Sequence, residues 1–89
     1  MKKDELLQAF IAYLRNEGQR VSTYNGSKNT VNRFLEWLKT EHIHYLETTY
    51  NDLLEYINHL QEQGNKKRTI NGTLTSIKHF YNYLQKEIR

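Results

Sequence analysis

Residues 69–84, TINGTLTSIKHFYNYL, decide the fold of this 89-residue chain. Apolar residues recur there every three or four positions, which is the period of an amphipathic α-helix. With Ile88, which lies one turn beyond this stretch, they fall within a narrow arc of the helix, flanked by Phe80. The residues of the arc are Ile70, Leu74, Ile77, Tyr81, Leu84 and Ile88. The pattern predicts a helix that begins near Lys67–Thr69 and reaches about Glu87.

Three earlier stretches carry the same period. The first helix is predicted over about residues 4–17, with Gly18 as a left-handed stop. The second is predicted to start after Ser22 or Thr23, both good N-caps, and to run to about residue 41. The third follows Thr49, with Asp52 completing a capping box, and ends at Gly64. The expected inner faces are Leu6, Leu7, Phe10, Ile11 and Leu14, then Tyr24, Val31, Phe34, Leu35 and Leu38, then Leu53, Leu54, Ile57 and Leu60.

The predicted helices leave only short connectors, near residues 18–22, 42–49 and 64–67. No stretch of useful length alternates with a period of two, so no strand is predicted. Isolated helices of this length are marginal in water, which means that the apolar stripes must pack together. The sequence therefore predicts an all-α, compact four-helix fold, with residues 1–89 forming a single domain.

Composition excludes several classes of protein. The chain has no cysteine, which rules out a disulfide scaffold and fits a reducing cytoplasm, so a cytoplasmic location is expected. No apolar run approaches the roughly 20 residues of a membrane span, and the opening residues turn acidic too early for a signal peptide. His42 and His44 lack further residues at metal-ligand spacing. No metal, cofactor or membrane partner is predicted.

Charge is unevenly distributed along the chain, whose net charge is +3. Residues 1–39 carry seven Lys or Arg against four acidic residues, and residues 66–89 carry six against one. Residues 40–65 between them carry five acidic residues and neither Lys nor Arg. Such segregation is expected when one surface faces a polyanion, although it also arises by chance in a small protein.

The ends of the predicted helices sharpen this charge pattern. Acidic residues stabilise a helix N-terminus, and the first and third helices have them, at Asp4, Glu5 and Asp52. The second and fourth helices begin with bases instead, an arrangement that stability alone does not favour. Phosphate groups at these two ends would be held by the helix dipole, free N–H groups and cations together. The predicted phosphate-binding residues are Arg20, Lys28, Lys66, Lys67, Arg68 and Thr69.

The outward faces of the same two helices are rich in amide, hydroxyl and cationic groups, which reach phosphates and base edges. The predicted groove-facing residues are Asn25, Asn29, Asn32, Arg33, Asn71, Thr75 and Lys78. Gly26 and Gly72 lie near the starts of these helices, which predicts close approach by another helix or by DNA, or simple tolerance near a helix end. For one nucleic-acid backbone to bridge the two basic helix tips, both tips must point the same way, and this is expected.

These features, taken together, resemble the SAM-like core-binding domain of tyrosine recombinases of the phage-integrase type. The last helix of that domain is matched by Thr69-Ile70-Asn71, Leu74, Ile77, Phe80-Tyr81 and Tyr83-Leu84. Its second helix is matched by Ser22-Thr23, Val31, Phe34 and Trp37-Leu38, and its third by Asp52-Leu53, Ile57, Leu60 and Gly64. The family often has a tyrosine at Ser27 and a DNA-holding arginine at Gly72, a role that Arg68 or Lys78 would take here.

The resemblance implies an N-terminal module that clamps DNA at the crossover site with its second and fourth helices. The family's catalytic residues belong to a larger C-terminal domain, expected after Arg89, so this chain alone is not predicted to be an enzyme. None of its seven tyrosines is predicted to be a nucleophile, and Tyr24 and Tyr81 are assigned to the core. The implied partners are double-stranded DNA, the catalytic domain of the parent protein and other recombinase protomers.

Two further functions remain open from the sequence. A helix-turn-helix regulator would need two short consecutive helices joined by a tight turn, whereas the predicted second and third helices are separated by a longer loop. A helical protein-interaction domain without a nucleic-acid role would have the same core pattern. Binding of DNA, or of a protein, at the second and fourth helices distinguishes these alternatives.

Overall fold

A computed structural model describes residues 3–87, and the described part of the chain contains helices but no strand. The elements are α1 (Lys3–Asn16), α2 (Val21–Thr40), a short 3-10 helix η1 (Tyr45–Glu47), α3 (Tyr50–Glu62) and α4 (Lys67–Glu87). The predicted four-helix, all-α architecture is confirmed. Ile88, assigned from periodicity to the inner arc of α4, lies outside the described residues. None of the helices between residues 3 and 87 is long and apolar enough to cross a bilayer.

Three helices end with a residue in the left-handed conformation. Gly18 (φ 85°) follows α1 and Gly64 (φ 86°) follows α3, as predicted, because glycine adopts positive φ without strain. His42 (φ 59°) has this role after α2, where the chain supplies no glycine. In each case a later N–H reaches back to the last turn, as in the 2.9 Å bond from Ile43 to the Leu38 carbonyl. These tight ends bring each helix back against its predecessor.

The start of α3 is fixed by the predicted capping box. The Thr49 hydroxyl accepts a hydrogen bond from the Asp52 N–H at 3.2 Å, and the Asp52 carboxylate accepts one from the Thr49 N–H at 2.8 Å. The predicted cap of α2 is wrong. Ser22 and Thr23 lie inside the helix, and the N-cap is Arg20, which makes no side-chain capping bond.

Replacing Thr49 with alanine is expected to lower the free energy of unfolding by about 0.5–2 kcal/mol, because the Asp52 N–H loses its acceptor. The matched control is Ser22→Ala, which removes a hydroxyl that caps nothing and should cost no stability. Urea unfolding followed by circular dichroism measures both variants. Equal destabilisation by the two substitutions would show that the capping box contributes nothing specific.

The core lies mainly between α1, α2 and α4. Phe10, Phe34 and Phe80 are fully buried at its centre, together with Leu6, Leu7, Leu14, Val31, Leu35, Leu38, Ile77 and Leu84. This confirms most of the predicted inner faces, while Ile11 and Tyr24 are half-buried. Helix α3 packs on the edge of this core.

The apolar stripe predicted for α3 is partly wrong. Leu54 is 40% exposed, whereas Tyr56, which was not predicted as core, is 3% exposed. The ring of Tyr56 lies 5.1 Å from that of Phe34 and 5.0 Å from that of Trp37, centroid to centroid. Because these rings of α2 meet α3 at Tyr56, the helix is rotated so that Leu54 turns to solvent.

Candidate nucleic-acid interface

The first turn of α2 has free amide groups and no acidic residue. Arg20 is extended (φ −73°, ψ 155°), and the first helical bond runs from the Tyr24 N–H to the Arg20 carbonyl at 3.0 Å. The amides of residues 21–23 therefore have no partner within the helix. With the exposed Arg20 beside them, these donors favour an anion.

The first turn of α4 has the same character. Its first helical bond joins the Ile70 N–H to the Lys66 carbonyl at 3.0 Å, and no acidic residue lies in the turn. Lys66, Lys67, Arg68 and Thr69 are all exposed. By contrast, α1 and α3 carry acidic residues in their first turns, as helix dipoles favour.

The basic residues at these two ends have no acidic partners among the described side chains. Two ion pairs occur in the described part of the chain: Lys3 contacts Glu36, and Lys86 lies 3.8 Å from Glu17. Neither pair includes any of the basic residues of the predicted phosphate-binding set, which are Arg20, Lys28, Lys66, Lys67 and Arg68. Their charge is therefore available to an external anion.

The directions of the helices follow from side-chain contacts. Helices α1 and α4 run the same way, because Phe10 lies 5.4 Å from Phe80 and the Glu17–Lys86 pair follows further along both. Helix α2 runs opposite to α1, since Lys3 at the start of α1 contacts Glu36 near the end of α2. Helices α2 and α4 therefore have opposite senses.

The expectation that both basic tips point the same way is wrong. Arg20 follows Glu17, which pairs with Lys86 in the last turn of α4. At the other end of α4, Asn65 and Thr69 flank Lys66–Arg68 and share a cleft with Arg33 and Trp37 in the later half of α2. The two helices touch between the tips, where the Ser76 hydroxyl donates to the Ser27 hydroxyl at 3.4 Å. At 1.5 Å per residue, the tips stand on the order of 20 Å apart. One phosphate cannot bridge them.

The predicted groove-facing residues of α2 divide between two flanks. Asn25, Asn29 and Arg33 are exposed. Lys28 and Asn32 are half-buried, and both lie on the flank toward α1, because Asn32 precedes the Lys3-bound Glu36 by one turn. The structure thus separates Lys28 and Asn32 from the residues nearer to α4.

On α4, Asn71, Thr75 and Lys78 are all exposed. The Thr75 hydroxyl donates a hydrogen bond to the Asn71 carbonyl at 3.0 Å, and this bond keeps the Thr75 side chain close to its own helix. Lys78 lies on the flank toward the start of α3, where it lines a hollow with Tyr50 and Leu74. The face turned toward α2 is formed by Thr69 instead, which shares a cleft with Arg33.

Gly26 and Gly72 lie on exposed helix surface. A Cβ atom added to either would meet no other heavy atom within 4 Å. Close packing against another helix therefore does not account for either glycine. Both leave the helix backbone open to close approach from outside.

The cleft shared by Arg33 and Thr69 was not predicted. It has a volume of about 350 Å³ and lies where α2, the end of α3 and the start of α4 meet. Trp37, His59 and Gln63 also line it. The signal available in the sequence was spacing, because Trp37 follows Arg33 by one turn and Gln63 follows His59 by one turn. Only the packing of α3 on α2 brings the two pairs together.

The tyrosines assigned to the core have structural roles. Tyr24 and Tyr81 both pack against the hydrophobic core, and the Tyr81 hydroxyl donates to the Tyr45 carbonyl at 2.8 Å. Burial raises the pKa of Tyr81, a Thr48 hydrogen bond opposes this, and the charge of Asp52 adds to it. A raised pKa is the opposite of what activates a phenolic nucleophile.

The family of the chain follows from comparison with known proteins. The family model described as phage integrase, N-terminal SAM-like domain, matches residues 6–88. This chain belongs to that family. Neither the comparison with curated proteins nor the comparison with solved structures gives a match. The phage-integrase SAM-like domain is the N-terminal part of integrases, distinct from the catalytic domain, which confirms the predicted family and SAM-like fold.

Two positions at which this chain was expected to differ from the family can now be located. At the first, where a tyrosine is common, Ser27 is buried and its hydroxyl accepts a hydrogen bond from Ser76 at the contact of α2 and α4. At the second, where an arginine is common, Gly72 lies on open helix surface. Exposed Arg68 lies one turn before Gly72 on the same helix and has no acidic partner among the described side chains.

Proposed function

We propose that this SAM-like domain is the DNA-binding module of a tyrosine recombinase of a phage or another mobile element. It holds duplex DNA at the crossover site during site-specific recombination and DNA integration. The observation that carries the proposal is the pair of helix starts, at α2 and α4, where exposed cations and free amides lack described acidic partners. The phosphates of a polyanion such as DNA would supply the negative charge and the hydrogen-bond acceptors that both helix starts lack.

The opposite directions of α2 and α4 define how duplex DNA would bind. Each basic tip contacts phosphates of a different backbone, since the tips stand farther apart than the roughly 12 Å width of the major groove. Asn29, Asn71 and Thr75 lie on exposed helix surface between the tips. Phosphate contacts would set the register, while the amides and hydroxyls contact base edges.

The remaining partners follow from the same proposal. The domain would act beside a C-terminal catalytic domain of the parent protein and beside other recombinase protomers on the DNA, in the cytoplasm. The chemistry of strand exchange belongs to that catalytic domain. The domain described here would position the recombinase on the DNA and add to its affinity for DNA.

Binding to duplex DNA is expected to be weak and salt-dependent when the domain acts alone. A dissociation constant of about 10⁻⁴–10⁻⁶ M at physiological salt is typical of phosphate contacts without sequence readout. Titration of the isotopically labelled chain with a short duplex, followed by NMR, should shift amide signals at the starts of α2 and α4. The outer face of α3 serves as the internal control and should not shift.

Two outcomes would contradict the proposal. One is an affinity that does not change between low and high salt, because phosphate contacts release counterions. The other is the absence of shifts at the α2 and α4 starts with DNA, while a protein ligand does shift them. That second result would favour a protein-interaction domain.

A further inference from the structure

Three aromatic rings form one wall of the cleft between α2, α3 and α4. The ring centroid of Trp37 lies 5.0 Å from that of Tyr56 and 6.3 Å from that of His59. Tyr56 and His59 are 6.1 Å apart and nearly parallel, with 22° between their planes. Tyr56 is buried, Trp37 and His59 are half-buried, and all three line the cleft. The planes of Trp37 and His59 differ by 34°, and because both side chains are only half-buried, ring surface remains accessible in the cleft for a further planar ring to stack on.

The opposite side of the cleft is polar. Arg33, Gln63 and Thr69 contribute a guanidinium, an amide and a hydroxyl. The Arg33 guanidinium makes no hydrogen bond or ion pair with a described residue, so its donors are available to a ligand. The positive charge of Arg33 also acts on the aromatic wall. Burial raises the pKa of Tyr56, and the charge of Arg33 opposes that rise.

We propose that this cleft binds a single unpaired DNA base, stacked on the Trp37–His59 wall with its polar edge toward Gln63 and Arg33. Every base has an aromatic face, and an amide both donates and accepts, so the site suits a base without strict sequence preference. The volume of about 350 Å³ lies near the lower end of the range for small-molecule pockets, about 300–1,000 Å³. A cleft of this volume has room for one base but is too small for a helix or a strand of protein.

The location of the cleft connects it to the candidate interface. Thr69 lines the cleft and directly follows Arg68 in the basic tip of α4. A strand whose phosphates lie on Lys66–Arg68 therefore passes the mouth of the cleft. The inference rests on the proposed DNA-binding function and adds to it a subsite for a base outside the duplex stack.

Fluorescence tests the base-binding site directly, because Trp37 is the single tryptophan of the sequence. The full chain is titrated with a short single-stranded oligonucleotide and with an abasic strand that has the same number of phosphates. The strand with bases should quench Trp37 emission and bind roughly 5- to 150-fold more tightly, the range expected for one stacked base. The abasic strand should bind through phosphates without quenching.

Variants separate stacking from charge. His59→Ala should remove most of the preference for the strand with bases and leave binding of the abasic strand unchanged. Gln63→Ala, at an exposed position outside the aromatic wall, should lower the same preference and gives an independent test. The matched control is Asn58→Ala, because Asn58 is exposed beside His59 but does not line this cleft.

The outcomes distinguish this inference from the function on which it rests. If duplex DNA binds but the two single strands bind equally and Trp37 emission does not change, the base site is overturned and the DNA-binding module stands. If duplex DNA and both strands fail to bind, the proposed function itself is wrong. Loss of base preference in Asn58→Ala as large as in His59→Ala also overturns the site.

Discussion

Replacing Phe80 with alanine is expected to lower the free energy of unfolding by about 3–5 kcal/mol. Phe80 is fully buried, and its ring meets Phe10 edge-on at 5.4 Å and Tyr45 at 6.3 Å. These contacts join α4 to α1 and to the loop that carries η1. Because a domain of this size has a total stability of about 5–15 kcal/mol, the expected loss is between about one fifth and all of it.

The control for this substitution is Tyr50→Ala, which removes an aromatic ring that is 74% exposed and should change stability by about 0.5 kcal/mol or less. Urea unfolding of both variants, followed by circular dichroism, gives the comparison. A loss at Phe80 no larger than at Tyr50 would mean that α4 does not pack on α1 as the structure describes.

The helical period identified most of the core because burial follows one face of each long helix. In α4, Ile77 and Leu84 were assigned to the inner arc and are buried. In α1, Leu6 and Leu14 likewise match their predicted face. Positions of this kind depend only on local geometry, in which residues three or four apart share a face.

Predictions that depended on neighbouring helices were less accurate. Leu54 was assigned to the core of α3 because leucine at that spacing fits a stripe, yet Tyr56 occupies the contact with α2. The rotation of α3 is set by Phe34 and Trp37, which no pattern within α3 reveals. In the same way, His42 ends α2 in a conformation usually reserved for glycine, since the chain has to turn there for Ile43 to bond Leu38.

In the candidate interface, too, local properties of one helix could be predicted from the sequence, whereas the arrangement of neighbouring helices could not. The basic starts of α2 and α4 could be predicted, because an absence of acidic residues in a first turn is a local property of the sequence. The relative direction of the two starts could not, since it depends on contacts such as Lys3–Glu36 between residues far apart in the chain. The cleft between Arg33 and His59 was missed for the same reason.

Replacing Lys66, Lys67 and Arg68 with glutamine in one variant is expected to have the largest effect on DNA binding. Each lost phosphate contact makes the dependence of log Kobs on log salt shallower by about 0.9, so loss of all three changes the slope by about 2.7. The fold should be unaffected, because all three side chains are exposed and make no ion pair with a described residue. Titrations at several salt concentrations measure the slope.

A control with the same change in net charge shows whether position or total charge causes the effect. Lys2→Gln, Arg15→Gln and Lys39→Gln together remove three charges outside the predicted contacts, and neither Arg15 nor Lys39 makes an ion pair with a described residue. If the α4 tip holds phosphates, this control keeps a slope close to that of the native domain, since distant charges act only through a screened field. Equal flattening in both variants would instead indicate a diffuse attraction to DNA, and the α4 tip would then have no specific role.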